Sequence, residues 1–253
     1  MTAPADILAR IDIGQLDPAS SIAPQIWRDL GMRIVRCELK PGDRLSETDV
    51  SRAYKVSRQP VREAFIKLAQ QGLLTVLPQR GTTVARIAYP AVLDARFMRE
   101  AIEADIVAIL VNGATETLIS DLELEIAAQR AVDPADAVSF TQLDERFHRR
   151  LATAAGKEGA WRLLEGLKAQ MDRVRYLSLG RFPMPKLIEQ HATLVARIAA
   201  GDAAGADAAI RLHLREVLRD LPHVRDANPE FFDMPAGVNP TSVDAPIRGG
   251  TTP

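Results

Sequence analysis

Two sets of side chains in this chain are spaced for chemistry. Three of its four histidines, His148, His191 and His213, fall within helical stretches, and Asp144 stands four residues before His148 in LDERFHRRL. That spacing puts carboxylate and imidazole on one helix face, a turn apart. Three neutral imidazoles with one carboxylate suit a divalent transition ion such as Zn²⁺, Ni²⁺ or Mn²⁺. Four protein ligands satisfy tetrahedral zinc, whereas an octahedral ion keeps two positions for water or a ligand carboxylate. Spacing alone leaves the matter open, because Asp-x-x-x-His arises by chance and a helical histidine is more often a surface or core residue. The second set is Ser57 to Ala64, Ser-Arg-Gln-Pro-Val-Arg-Glu-Ala. An α-helix fits the DNA major groove, and Arg and Gln are the side chains best shaped to pair bidentately with G and A edges.

The second set needs a helix to present it, and its surroundings supply one. Ser46 precedes Glu47-Thr48-Asp49-Val50, an N-cap followed by acidic residues where the helix dipole favours them. This short helix ends near Tyr54-Lys55-Val56. Ser57 then caps the next helix, with Pro60 in its first turn, and Gly72 stops it. The pattern is a helix-turn-helix whose second helix enters the groove N-terminus first. Leu73 to Leu77 and Thr82 to Ala85 are β-prone runs joined by Pro78-Gln79-Arg80-Gly81, a hairpin wing with a basic tip. Upstream, Ile22, Ile26, Leu30, Ile34 and Val35 recur at helical spacing and close a small core. Residues 20 to 88 hold 12 Lys+Arg against 6 Asp+Glu, while the whole chain is −1. A basic module is therefore joined to an acidic remainder, and only the former suits phosphates.

The first set needs a bundle. From Tyr89 to Pro222 the pattern predicts six helices, about 90–112, 115–132, 135–154, 158–179, 184–200 and 203–221, with short breaks between them. Short loops make neighbours antiparallel. Packing of the third, fifth and sixth could then aim Asp144, His148, His191 and His213 at one point. The fold class is mainly α: an N-terminal winged helix-turn-helix with a small β-wing, then an antiparallel all-α bundle. The expected division is an N-terminal extension (1–20), a DNA-binding domain (21–88), a helical effector and metal domain (89–222) and a disordered tail (223–253). Phe231 and Phe232 are the tail residues able to dock.

The motifs also carry a resemblance. Residues 22 to 86 resemble the winged-helix domain of the GntR family of bacterial transcription regulators, through IVRCELKPGDRL (34–45), Ser46-Glu47, VSRQPVREAFIKL (56–68), Gly72-Leu73-Leu74 and Arg80-Gly81. The resemblance implies DNA contacts from Ser57, Arg58, Gln59 and Arg62, and from the wing at Gln79, Arg80 and Gly81. It adds Thr48, which stands where a longer polar or basic residue often touches DNA. Cys37 stands where the family usually has glycine, so the first helix lacks its favoured left-handed terminator.

Residues 93 to 221 resemble the FCD domain of the FadR subfamily, through Arg99 to Glu103, DERFHRRLATAAG (144–156), Glu189-Gln190-His191, Gly201-Asp202 and Leu212-His213. Metal-binding members use an Asp and three His at these motif positions, which implies Asp144, His148, His191 and His213 as ligands. Lys157 departs from the usual asparagine. In that subfamily a small organic acid enters beside the metal. Arg99 is the leading candidate to clamp its carboxylate, against the alternative of a solvated Arg99 paired with Glu103. Arg146, Arg150 and Arg175 are unranked further candidates.

Several classes are disfavoured. Cys37 is the only cysteine, so no intrachain disulfide forms and a reducing cytoplasm is expected. No stretch reaches membrane-spanning length and residues 1–20 lack a signal pattern. Trp27 and Trp161 read as core or interface residues, and His223 as lying outside the bundle. A metalloenzyme would need a general base beside the ion, and Glu145 points about 100° from Asp144 on a helix. The expectation is a metabolite-responsive repressor: a homodimer on a pseudo-palindromic double-stranded DNA operator, with a carboxylate effector beside the metal and no membrane partner. The alternatives are a metalloenzyme and a regulator with a purely structural metal.

Overall fold

Apolar side chains at helical spacing bury one face of each helix, and in the computed structural model they close three cores. The structure describes residues 16–77, 81–178 and 184–234, so Gln79 and Arg80 of the wing tip lie outside the described residues. Helix α1 (Ile22–Val35) buries Ile26, Leu30 and Ile34 against α2 (Glu47–Ala53) and α3 (Arg58–Gln70). Strand β1 (Arg44–Leu45) pairs antiparallel with β3 (Gly81–Val84), which pairs in turn with β2 (Leu74–Leu77). The wing hairpin is thus as expected. The β1 edge, only two residues long, carries no alternation by which a sequence could reveal it.

The turns show why these helices end where they do. Ser46 caps α2 by accepting from the Asp49 N–H. Ser57 occupies the N-cap of α3 with extended backbone, but its side chain makes no capping hydrogen bond, contrary to expectation. After α1 it is Cys37 itself that takes the left-handed conformation, φ 59°. Its N–H donates to the Ile34 carbonyl and the Glu38 N–H to that of Arg33, the bonding a glycine terminator would give. The glycine's absence therefore does not abolish the cap; it adds a steric cost of about 1–2 kcal/mol.

Strand β4 (Ile87–Ala88) leads into α4 (Tyr89–Val111), α5 (Glu116–Arg130) and α6 (Ala137–Ala154). The single helix expected over 158–179 is two, α7 (Glu158–Leu167) and α8 (Ala169–Leu177), hinged at Lys168. The hinge is what lets Ala169 join the winged-helix core while Arg175 turns into the bundle. Helices α9 (Met184–Ala199) and α10 (Ala203–Ala227) complete the bundle, whose core includes Phe140, Phe147, Trp161, Leu194 and Ile210.

The expectation that order ends at residue 222 fails for residues 223 to 234. Helix α10 runs through Pro222 to Ala227, a 3₁₀ turn covers Pro229–Phe231, and β5 (Phe232–Asp233) pairs parallel with β4. Leu221, Val224, Phe231 and Phe232 pack with Ile87, Tyr89 and Met171 in a third core. That burial offsets the hydrogen bond a proline removes inside a helix. No helix among the described residues is long and apolar enough to cross a membrane.

Helices α4 and α10 are locked by charge as well as packing. The buried Glu100 carboxylate accepts from Arg96 (2.8 Å), Arg211 (3.3 Å) and Arg215 (2.9 Å). Burial alone would raise its pKa, but the hydrogen bonds from Arg215, Arg96 and Arg211 outweigh that and hold it at about 2, against 4.5 ordinarily. A depressed carboxyl stabilises the fold fully above its unfolded value and loses that contribution as pH falls toward its folded one. Urea unfolding of wild type and Glu100→Gln should therefore show the variant less stable at neutral pH. The gap should narrow as pH drops below about 4.5. A gap unchanged at pH 3 would refute the assignment.

Candidate metal centre and nucleic-acid interface

Asp144 and His148 lie on α6, His191 on α9 and His213 on α10, and their ligand atoms all lie within 4.8 Å of one another. All four are at most 2% exposed. The His148 and His191 Nε2 atoms lie 3.0 and 3.2 Å from His213 Nε2. Asp144 Oδ1 faces them at 3.4 Å (His191), 3.8 Å (His213) and 3.9 Å (His148), and no hydrogen bond satisfies it.

The far side of each ring decides what the near side offers. His148 Nδ1 lies 2.6 Å from Glu103 Oε2, His191 Nδ1 2.8 Å from Gln129 Oε1, and His213 Nδ1 3.2 Å from Gln190 Oε1. Gln190 is oriented by donating its amide to Glu216 Oε2 at 3.2 Å. The Gln129 and Gln190 oxygens place the proton on Nδ1 of His191 and His213. The His148 Nδ1 makes no aligned hydrogen bond, but the carboxylate 2.6 Å away favours the same tautomer, and each Nε2 then presents a lone pair inward. Three nitrogen lone pairs and a carboxylate oxygen converge on a buried space with no donor among them. Such a set is costly unless a cation fills it, so these residues fit a divalent transition ion.

Electrostatics agree. Burial drives the His191 pKa down to about 3, against the opposing pull of Asp144, and drives that of His213 well below its ordinary value, so both imidazoles are neutral at pH 7. For Asp144 burial acts upward, but Arg175 and the imidazoles reverse it and hold the carboxyl far below the usual carboxylate range. Arg175 Nη1 donates to Asp144 Oδ2 at 2.9 Å, leaving Oδ1 for the centre. Behind His148, burial again acts upward on Glu103, and Arg99 with His148 brings it to about 2. Phe147 stacks on His191 with centroids 4.2 Å apart, fixing that ring.

The other candidates sort differently. Arg99 does pair with Glu103 (2.6 Å), but it is buried, not solvated. Arg146 and Arg150 donate to Glu125, and Arg150 also to Asp121, so both are engaged with α5. Only Arg175 of the unranked three touches a ligand residue. Glu103, Gln129 and Gln190 were missed as supports for the three rings. Glu103 and Gln190 lie inside the motifs that point to this site, whereas Gln129 has no local signal, because only the packing of α5 on α9 brings it to His191.

On the winged helix, Thr48, Ser57, Arg58, Gln59, Arg62 and Gly81 are exposed. The Arg58 side chain is 65% exposed and pairs with Glu47 at 3.1 Å, and Gln59 bonds Glu63 at 3.0 Å. Exposed pairs of this kind are weak, so both side chains are available to another acceptor.

Comparison with known proteins agrees with both halves. Residues 22–84 match the model of the bacterial regulatory proteins of the gntR family, and residues 94–216 match the FCD domain. The HTH-type transcriptional repressor RspR of Escherichia coli (strain K12) is 38% identical over 220 residues, 86% of this chain and 96% of the relative. An HTH-type transcriptional regulator in an unstable DNA locus of Streptomyces ambofaciens is 34% identical over 216 residues, 85% of this chain and 91% of the relative. Among solved structures, E. coli McbR/YncC shares the fold with a TM-score of 0.67 at 20% identity, covering 82% of this chain and 99% of that one.

The hydrogen bond behind His191 has a measurable consequence. Gln129→Leu removes the acceptor that fixes the ring's tautomer, and loss of such a partner typically weakens metal binding about 10–100-fold. Zn²⁺ affinity measured against a competing chelator should fall in that range while the helical content is kept. Unchanged affinity would show that Gln129 does not support the ligand.

Proposed function

This chain belongs to the gntR family of bacterial regulatory proteins and carries an FCD domain behind its winged helix; on that premise we propose that it is a metabolite-responsive repressor. It is a DNA-binding transcriptional regulator. The finer reading is a cytoplasmic homodimer on a pseudo-palindromic operator, released or recruited by a small acid bound beside a Zn²⁺, Ni²⁺ or Mn²⁺ ion. One winged helix spans only a short half-site, so useful specificity needs two copies. Ser57, Arg58, Gln59 and Arg62 read base edges, and Thr48, Gln79, Arg80 and Gly81 contact the DNA around them.

The observation that carries the sensing half is the convergence of three buried imidazoles on Asp144 Oδ1, which has no hydrogen-bond partner. Asp144, His148, His191 and His213 would hold the ion, which supplies a Lewis-acidic point for a carboxylate. The buried side chains around it are already balanced, Arg99 and Arg175 against Glu103 and Asp144. A divalent ion adds two positive charges to that set in a low-dielectric interior, so the ligand that completes it is an anion. Arg99, whose pairing with Glu103 leaves donors of its fork to spare, is the residue we assign to the acid's carboxylate.

The near-complete burial of all four ligands favours a second reading, a purely structural ion that closes the bundle. A catalytic ion is not supported: Glu145 is tied to Lys168 at 3.3 Å, and the relatives are named as transcriptional regulators.

Two measurements test this function. Arg58→Ala and Arg62→Ala should each cost about 1–3 kcal/mol of operator affinity in a gel shift, with melting temperature and metal content unchanged; full sequence-specific affinity in both would defeat the reading. A thermal-shift screen of organic and sugar acids should find one that stabilises the protein by about 2.7 kcal/mol at a hundred times its Kd. Chelation should abolish that stabilisation. Acid binding that survives chelation, or a metal that stabilises with no acid response at all, would leave the structural-ion reading in its place.

A further inference from the structure

Helix α8 touches both halves of the molecule. Arg175, near its end, donates to Asp144 of the four-acceptor cluster at 2.9 Å. Gln170, near its start, donates its side-chain amide to the Gly72 carbonyl at 2.8 Å, and Gln170 is itself buried. Gly72 is the left-handed residue that terminates the DNA-recognition helix α3, with φ 68°. A Cβ at that position would lie 3.2 Å from Gln170 Nε2, so the contact is close as well as polar. Beside it Ala169 lies within the winged-helix core, and Trp27 Nε1 donates to Gln71 Oε1 at 2.7 Å.

Gln170 and Arg175 are five steps apart on the α-helix, about 7.5 Å along the axis and roughly 140° around it. Gln170 therefore faces the joint between domains while Arg175 faces the bundle interior. A helix this short moves as a unit, so a shift at one side chain is carried to the other.

The joint is also held at a cost. Arg173 on the same helix is fully buried, and its Nε and Nη2 meet no acceptor. Its Nη1 is 3.5 Å from Gln170 Oε1. An unsatisfied buried guanidinium opposes the docked arrangement, as expected of an element poised between two positions.

We infer that Gln170 is a positioning residue through which α8 links the Asp144–Arg175 pair to the end of the recognition helix. The inference rests on the sensing function proposed above. Any change at the cluster that redirects the Arg175 guanidinium moves α8, and Gln170 carries the motion to Gly72. The link acts on the orientation of α3 and not on ion uptake, because Gln170 touches none of the four ligand residues.

The test uses full-length protein, Zn²⁺ as the only probe, and DNA selected by the wild-type protein from a random pool. Couplings between sites commonly amount to about 5–150-fold, so wild-type affinity for that DNA should differ at least about fivefold between the Zn²⁺-loaded and chelated states. In Gln170→Leu the two affinities should agree within about twofold, with Zn²⁺ uptake as in wild type. Hydrogen exchange of residues 68–76 should respond to Zn²⁺ in wild type and not in the variant. Gln170→Glu, which keeps the side chain's shape and gives Arg173 a counter-charge, should show the same loss and serves if the leucine variant folds poorly. A variant that shifts both affinities equally, or keeps the full Zn²⁺ response, overturns the link and leaves the sensing function standing. Absence of any Zn²⁺ response in wild-type DNA binding overturns the link, while the sensing function still stands or falls on the acid screen above.

Discussion

Four acceptors pointed at one another inside a protein interior are a conformational constraint before they are a binding site. The Nε2 atoms of His148, His191 and His213 and the free oxygen of Asp144 face one another across 3.0 to 3.9 Å. The bundle nevertheless holds them there, because each is gripped from behind by Glu103, Gln129, Gln190 or Arg175. Those supports come from α4, α5, α9 and α8. The cluster thus draws on every helix of the bundle except α7, and a cation held there would tie α6, α9 and α10 together at their common centre.

The same arrangement explains why charge in this domain is so deeply placed. Arg99, Glu103, Asp144 and Arg175 form two buried ion pairs that flank the imidazoles. Buried pairs are poor sources of stability because desolvation offsets their attraction. Their presence is easier to understand as orientation: Arg99 holds Glu103 against His148, and Arg175 occupies one oxygen of Asp144 so that the other faces inward. The surface of the winged helix works in the opposite sense. There Arg58 and Gln59 have only weak, exposed partners and are free to exchange them for others.

How much of this was readable beforehand followed the range of the interactions involved. Period-3.6 patterning located the helices, and the turn residues located most of their ends, because both are local. The four residues that converge in the buried cluster were named from their types and motif context. What escaped was whatever tertiary packing alone decides. Cys37 adopts the left-handed turn despite its Cβ, because the carbonyls of Arg33 and Ile34 still need donors. The helix over 158–179 divides at Lys168 because its first half packs in the bundle core while its second half packs in the winged-helix and third cores. The segment after Pro222 reads as polar and turn-rich, yet Phe231 and Phe232 complete a core made by the linker and α8. Arg99 carries no mark in sequence that separates a solvated arginine from a buried one.

The third core has a consequence for how the two domains are joined. Strand β4 is the only covalent passage from the winged helix to the bundle, and β5 pairs with it from the far end of the chain. The passage is therefore clamped between the start of α4, the face of α8 and the C-terminal segment, and a clamped linker does not behave as a flexible tether. Motion between the domains must then be a small rigid adjustment of packed elements, of the kind that shear between helices produces. An adjustment of that size cannot detach the reading helix from DNA within one subunit. In the dimer proposed above it would change the spacing and tilt of two winged helices on adjacent half-sites, where a misfit of a few ångströms is enough to sacrifice base contacts at both.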